Sequence, residues 1–304
     1  MKRYLLNRTG GWLISTVVAL TAAPVFAQTE IPNEYMDPAA KMAKGFLPVE
    51  QIGSSLNILP PPPQEGSADF EHDKAIYWEM KKLRDTDRGA LAIQDANTSG
   101  NWQGRAFSEA MGFDINEKDT PEIYMLCRRL HLDVARSACR IAKDYYDRTR
   151  PFVYFGDHTS TPGAEAYLSQ NGSYPSGHTA LGWGTALVLA EVNPARQEEI
   201  IRRGYEFGQS RLIVGAHWQS DVDAGRMVSS AAVARVHDDP EFQKHLKRAK
   251  AECRRVAAAK GLDLDAERAR HATAKLQQQA DVKAYRDAAK TAAKAKQKVK
   301  PMAD

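Results

Sequence analysis

The sequence predicts an all-α protein, and three observations support this prediction. From Asp73 onward, apolar residues recur mostly at the three- and four-residue spacing of a helix. Alternating β-branched residues bounded by hairpin turns, which mark strands, are almost absent. Outside the first 27 residues, the longest apolar run, Ala180 to Ala190, has the length of a buried core helix and falls short of the ~18 residues of a membrane span. We therefore expect a helical domain with no membrane span in the mature chain.

The first 27 residues have the pattern of a secretory signal peptide. A basic start, containing Lys2, Arg3 and Arg8, precedes a short apolar stretch from Trp12 to Ala23. Val25 and Ala27 suit the cleavage positions, so the mature chain is predicted to begin at Gln28 and to be exported. The alternative is an N-terminal membrane anchor, but the apolar stretch is short for a bilayer and no charged stop follows it.

Charge and size limit the possible functions. Removing the three cations of the signal peptide, which has no acidic residue, takes the net charge from +4 to +1. Such a nearly neutral chain does not indicate binding to nucleic acid. Subtracting 27 residues from 304 leaves 277, enough for one large domain or two small ones.

The chain has three cysteines, Cys127, Cys139 and Cys253, so at least one thiol is unpaired. If Cys127 and Cys139 share one helix, they lie about 18 Å apart and cannot bridge. Pairing of either with Cys253 stays open. No Cys/His spacing suited to a metal occurs, so we predict neither a metal site nor a cofactor.

Four segments with distinct composition are expected along the chain: the signal peptide 1–27, an extended segment 28–72, a helical domain 73–260 and an extension 261–304. The second segment contains "ILPPPPQEGS", which cannot be helical and is predicted to lie extended against the body or a partner. The extension is rich in Ala, Gln and Lys. It has helical propensity but no face to bury, and we interpret it as solvated.

Four helices carry the residues of interest. They are predicted at about Thr120–Thr149, Ser176 or Gly177 to Glu191, Ala195–Arg211 and Ala216–His237. Gly204 and Gly208 share one face of the third helix and permit close approach by a neighbour.

The sequence Pro-Ser-Gly-His opens the second of these helices. A helix N-terminus offers unpaired N–H groups and a partial positive charge, which suit an anion. Gly177 allows close backbone approach, Ser176 adds a hydroxyl donor, and His178 lies one residue further on. The motif alone also fits a capped helix with an incidental histidine.

Two further motifs carry charged groups. Lys143 and Arg150 are seven residues apart, which places them on one face at the end of the first helix. Arg211 precedes a break at Gly215, and His217 and Asp221 then follow at i and i+4. A carboxylate that holds one imidazole nitrogen leaves the other basic. Taken singly, a solvated basic face explains Lys143 and Arg150 better than a site does, and a structural His–Asp pair explains the second motif as well as a site does.

Together the three motifs supply cations, N–H donors, a hydroxyl, two histidines and one carboxylate, as phosphoryl transfer requires. They resemble the signature of the bacterial class A non-specific acid phosphatases. That family lies within the superfamily of type 2 phosphatidic acid phosphatases and vanadium-dependent haloperoxidases. The resemblance covers roughly residues 57–251, and the matching positions are Lys143, Arg150, Pro151, Pro175, Ser176, Gly177, His178, Ser210, Arg211, His217 and Asp221.

The resemblance implies a single-domain helical bundle and an exported, periplasmic phosphatase of broad range that forms a phosphohistidine. His217 would be the nucleophile, Asp221 would orient it, and His178 would act as acid and then base. The phosphoryl oxygens would be held by Lys143, Arg150, Ser176, Gly177 and Arg211. The expected partners are small phosphate esters, with transfer to alcohols as a further activity, and the family analogy and polyproline segment indicate a homo-oligomer.

Two alternatives stay open at the sequence level. A vanadium-dependent haloperoxidase would use the same pocket to oxidise halide with peroxide, although this chain is short for that branch. A non-catalytic periplasmic protein could capture phosphate or display the proline run, but binding alone requires no general acid.

Overall fold

The computed structural model describes residues 44–98 and 102–298 of the chain. No strand occurs in these two ranges, so the prediction of an all-α fold is confirmed. The predicted signal peptide lies outside them. In this part of the chain the helices of nine or more residues are α1 (Ala68–Lys81), α2 (Asp87–Asp95), α3 (Pro121–His131), α4 (Ala138–Tyr146), α5 (Gly177–Val192), α6 (Gln197–Ile213), α7 (Gln219–Val236), α8 (Pro240–Ala259) and α9 (Leu264–Lys298).

Helix α5 lies at the centre of the core and packs on α6 and α7. It is apolar on almost every side, as a fully buried helix must be, and the prediction of its bounds is confirmed to within one residue. Small residues bring α5 and α6 together, because a Cβ at Gly204 would lie only 2.3 Å from Cβ of Ala186. The prediction that Gly204 permits close approach is therefore confirmed.

Replacing Gly204 with alanine is expected to destabilise the protein by about 1–2 kcal/mol net, because overpacking outweighs the gain in helix propensity. The measurement is the midpoint of thermal unfolding followed by circular dichroism. Gly163→Ala is the matched control, since a Cβ at Gly163 meets nothing within 4 Å. Equal midpoints for the two variants would contradict the close packing of α5 on α6.

Residues 44–67, which precede α1 in the described part of the chain, lie against the body. It contains a 3₁₀ turn at Val49–Gln51 and one helical turn at Ser55–Ile58. The proline run at residues 60–63 is not helical, and the carbonyl of Pro60 accepts a hydrogen bond from the hydroxyl of Tyr174 at 2.7 Å. Helix α1 begins earlier than residue 73, because Ser67 caps it by accepting from the backbone N–H of Phe70.

The prediction of one helix from Thr120 to Thr149 is wrong. A π-helical segment, Leu132–Ser137, joins α3 to α4, and α4 ends at Tyr146. Asp147 then adopts a left-handed conformation with φ of 36°, and Arg150 is extended before the short helix Pro151–Phe155. A residue before proline avoids helical geometry, so Lys143 and Arg150 do not share a helix face.

Two further predicted boundaries are corrected. Residues Pro194–Arg196 form a 3₁₀ turn before α6, and α6 continues to Ile213. The break at Gly215 is confirmed, with φ of 83°. Because α7 begins only at Gln219, His217 precedes the helix in which it was expected.

The pairing of the cysteines, left open by the sequence, is answered by the structure, in which no disulfide joins them. Cys127, Cys139 and Cys253 are all free thiols in the core. Burial raises the pKa of each, to about 12 for Cys127 and Cys139 and to about 11 for Cys253. We therefore expect these thiols to be unreactive.

Helix α9 forms the C-terminal end of the described chain. Near its start, Glu267 accepts a hydrogen bond from Nη1 of Arg196 at 2.9 Å. From Ala272 to Lys294 every side chain is exposed, including those of Val282 and Tyr285. Across residues 44–98 and 102–298, we find no helix with the length and apolar character needed to traverse a lipid bilayer.

Candidate active site

His217 lies in the turn between α6 and α7 and is buried. Its Nε2 is 3.1 Å from Nη1 of Arg150, and its Nδ1 is 3.3 Å from Oδ2 of Asp221. A guanidinium has donors only, so Nε2 must be the accepting nitrogen. In the neutral ring the proton is therefore on Nδ1 and is donated to Asp221. This tautomer leaves the Nε2 lone pair directed toward a cation.

Asp221 is the third residue of α7 and is completely buried. Its Oδ2 accepts from the backbone N–H of Trp218 at 2.8 Å and forms a very short hydrogen bond with the hydroxyl of Ser173. Capping of the Trp218 N–H by this carboxylate is the physical reason that α7 begins after His217. His217 and Asp221 are thus in contact as predicted, but His217 precedes α7 and Asp221 lies in its first turn.

Arg150 is held rigidly by backbone carbonyls. Its Nε donates to Leu168 at 2.8 Å, Nη1 to Ala216 at 3.0 Å and Nη2 to Gly172 at 3.2 Å. Nζ of Lys143 donates to the same Gly172 carbonyl at 2.7 Å. Lys143 and Arg150 therefore bind the same carbonyl oxygen, although they come from different elements.

The Pro-Ser-Gly-His motif forms the start of α5, as predicted. Ser176 is the N-cap, and its hydroxyl accepts from the backbone N–H of Thr179. Its own backbone N–H donates to the carbonyl of Asp221 at 2.9 Å, which ties the start of α5 to the start of α7. Gly177 is the first residue of α5, and His178 follows with Nε2 at 3.1 Å from the carbonyl of Ala96.

Arg211 lies on α6 and is buried. Its charge lowers the pKa of both His178 and His217, so it lies near both rings. The neighbouring Ser210 points elsewhere: its hydroxyl donates to Oδ2 of Asp95 in α2 at 2.6 Å. Ser210 is therefore a structural member of its motif.

Burial and positive charge dominate the electrostatics of the site. Burial, followed by the charge of Arg211, holds the pKa of His178 well below its ordinary value. Burial, followed by Arg150 and Lys143, does the same for His217. Burial and the charge of Arg150 also lower the pKa of Lys143 to about 7. A dianionic ligand would offset these repulsions, so the site is suited to an anion.

Sequence reasoning missed two residues that contact Asp221. Nη1 of Arg148 donates to Oδ1 of Asp221 at 2.7 Å, and Ser173 contacts Oδ2. Both lie close to the motifs along the chain, but neither has a spacing that separates it from an ordinary loop residue.

Comparison with known proteins identifies the family of this chain. The sequence profile of the PAP2 superfamily matches residues 130–242, which contain all three motifs. A relative from Providencia stuartii, named a non-specific acid phosphatase, is 46% identical over 252 residues, which are 83% of this chain and 98% of the relative. A non-specific acid phosphatase from Salmonella typhimurium is 44% identical over 70% of this chain and 86% of its own length. An acid phosphatase from Zymomonas mobilis is 36% identical over 65% of this chain and 74% of its own length. The chain therefore belongs to the PAP2 superfamily and, within it, to the non-specific acid phosphatases.

Proposed function

We propose that this protein hydrolyses phosphate monoesters of broad range through a phosphohistidine on His217. The observation that carries the proposal is the pair of contacts that the ring nitrogens of His217 make with Arg150 and Asp221. With the Nδ1 proton on the side of Asp221, Nε2 is unprotonated, and the charges of Arg150, Lys143 and Arg211 keep it so by lowering the pKa of the ring. A nitrogen nucleophile backed by a carboxylate is suited to covalent catalysis.

In the first step, Nε2 of His217 attacks phosphorus and the bond to the ester oxygen breaks. His178 gives its proton to the departing alkoxide. In the second step, His178 takes a proton from water, the hydroxide oxygen attacks phosphorus, and the P–N bond breaks to release phosphate. An alcohol in place of water would give phosphotransfer by the same route. Asp221 stabilises the positive charge on the His217 ring in both steps.

The phosphoryl oxygens would be held by Lys143, Arg150 and Arg211, with Ser176 and the N–H of Gly177 at the positive end of α5. The carbonyls around Arg150 fix its guanidinium before substrate arrives, so little reorganisation accompanies the reaction. These cations supply the charge that a metal ion supplies in other phosphatases.

Because His178 must be protonated to act as an acid, activity is expected to favour acidic pH, and the lowered pKa of the ring bears on that expectation. Above that pKa the ring is neutral and cannot act as an acid. A bound phosphoryl dianion favours the protonated ring because it offsets Arg211. We therefore propose that the substrate helps to protonate His178, and that turnover falls as pH rises.

Lys143→Arg is expected to extend activity to higher pH. The pKa of Lys143 is lowered to about 7, so the free enzyme loses this cation above neutrality and kcat/KM should fall there. Arginine stays charged, so the decline in kcat/KM near neutral pH should move upward by about one pH unit or more, while the decline at lower pH that follows deprotonation of His178 should stay unchanged.

Lys250→Arg is the matched control, since Lys250 pairs with Glu191 on α5 and contacts none of the proposed site residues. Its pH profile should equal that of the unchanged protein. Coincident alkaline limbs for Lys143→Arg and the unchanged protein would show that Lys143 does not govern phosphate capture.

The direct test of the proposal is hydrolysis of p-nitrophenyl phosphate by the purified mature chain at mildly acidic pH, with and without EDTA. We expect hydrolysis, with EDTA changing the rate by less than about twofold because the proposed charge stabilisation comes from side chains. Inhibition by vanadate, which mimics the five-coordinate phosphorus, is expected as well. Absence of hydrolysis, or a strict metal requirement, would refute this mechanism. Export and self-association stay predictions from the sequence.

A further inference from the structure

We infer that Arg148 and Asp73 are positioning residues that act through Asp221 on His217. The inference rests on the proposed role of His217 as nucleophile. Neither residue touches the imidazole ring in the contacts described above. Both belong instead to a buried chain of hydrogen bonds that ends on the carboxylate of Asp221.

Arg148 bridges two buried carboxylates. It lies in the short loop between α4 and the helix Pro151–Phe155, and its side chain is only 8% exposed. Nη1 donates to Oδ1 of Asp221 at 2.7 Å, and Nη2 donates to Oδ2 of Asp73 at 2.8 Å. One planar guanidinium therefore connects the start of α7 to α1. A lysine could not make this fork-shaped contact, because it offers a single nitrogen.

Ser220, in the first turn of α7, also binds Asp73. Its backbone N–H and hydroxyl donate to the two oxygens of Asp73, at 2.9 and 2.5 Å. Its hydroxyl oxygen also lies 2.7 Å from Nη1 of Arg148. Asp73 thus fixes Arg148 and the first turn of α7 at the same time, in a place where its side chain is 2% exposed.

The consequence for His217 follows from the two oxygens of Asp221. Arg148 binds Oδ1 while the Trp218 N–H and the Ser173 hydroxyl bind Oδ2, and together they orient the carboxylate with Oδ2 3.3 Å from Nδ1 of His217. Rotation about the terminal bond of an aspartate is soft, and it would carry Oδ2 away from the ring. Removing the cation would also leave two buried carboxylates close together without compensation. Arg148 and Asp73 therefore maintain the hydrogen bond from Nδ1 of His217 to Asp221, which supports the tautomer that Arg150 selects.

The test is a double-mutant cycle on p-nitrophenyl phosphate with Arg148→Met, Asp221→Asn and the double variant. Arg148→Met is expected to lower kcat about 10- to 100-fold, as for other losses of alignment, with KM changed less than about threefold. If Arg148 acts through Asp221, the two losses do not multiply. The double variant should then be within about threefold of Asp221→Asn. Multiplying losses would overturn the inference.

A matched control separates positioning from stability. Arg129→Met removes another buried arginine, one that pairs with Glu241 and lies over the ring of Phe46. It should lower the thermal midpoint while leaving kcat within about twofold. An equal loss of kcat in Arg129→Met would assign the effect of Arg148→Met to general destabilisation. If Arg148→Met does not fold, Arg148→Lys replaces it, with a smaller loss of kcat expected.

The second readout does not depend on activity. In protein labelled with ¹⁵N-histidine, the ring of His217, assigned by comparison with His217→Ala, should show a protonated Nδ1. Arg148→Met and Asp73→Asn should each shift the signal of the protonated Nδ1, because its hydrogen bond to Oδ2 of Asp221 is weakened. Unchanged ring signals in both would overturn the inference. If the unchanged protein hydrolyses no phosphate ester, the proposed function fails, whereas the ring signals still decide whether Arg148 orients His217.

Discussion

Replacement of His217 by alanine is expected to lower kcat on p-nitrophenyl phosphate by about 10⁴-fold or more, the loss typical of a removed nucleophile. Alanine cannot form the P–N bond, and the surrounding cations then bind phosphate without turning it over. Steady-state kinetics and far-ultraviolet circular dichroism provide the measurement. The helical signal should be retained, because His217 lies in a turn between α6 and α7.

His245→Ala is the matched control for that variant. His245 is half-buried on α8, and its ring packs edge-on against Phe46 at 5.6 Å, among residues that take no part in the proposed site. Its kcat should stay within about twofold of the unchanged protein, as for most changes remote from a site. Near-normal turnover in His217→Ala would show that His217 is not the nucleophile.

Replacement of His178 by alanine is expected to have an effect that depends on the leaving group. An alkyl phosphate needs a proton on its departing oxygen, so we expect kcat to fall by about 10²- to 10⁴-fold. p-Nitrophenolate is stable without that proton, so formation of the phosphoenzyme should be much less affected. Single-turnover kinetics with glycerol 2-phosphate and p-nitrophenyl phosphate measure the difference.

The second step supplies an internal check for His178→Ala. Loss of the base slows attack by water, so the phosphoenzyme should accumulate with p-nitrophenyl phosphate and appear as a burst of nitrophenolate. Equal losses of the first step with both substrates would show that His178 does not protonate the leaving group.

The sequence predicts the site better than it predicts the helices. Proline and glycine mark where elements begin and end, which is why the bounds of α5 and the break at Gly215 are confirmed. The end of α4 is different. Asp147 takes a left-handed conformation and Arg150 is extended, yet "DYYDRT" contains no residue that forbids a helix. Tertiary hydrogen bonds of Arg148 and Arg150 determine that boundary, and local propensity does not contain them.

The candidate site residues that the sequence identifies are those that belong to a motif. Lys143, Arg150, His178, Arg211, His217 and Asp221 have charges or imidazoles within three recognisable motifs, so the pattern identifies them. Arg148 lies two residues before Arg150 and has the same chemistry, and only the fold shows that one faces Asp221 and the other faces His217. Asp73 is about 150 residues from Asp221 along the chain, and no sequence period connects them.

The most direct test of the central claim is identification of the phosphorylated residue. Protein mixed with p-nitrophenyl phosphate would be quenched within milliseconds in alkaline denaturant, digested, and analysed by tandem mass spectrometry. If His217 is the nucleophile, we expect a phosphoryl group on the peptide that contains His217, at greater occupancy in His178→Ala and absent from His217→Ala. A phosphoryl group on His178 or any other residue, or a protein that turns over substrate with no phosphorylated peptide in either background, would contradict it.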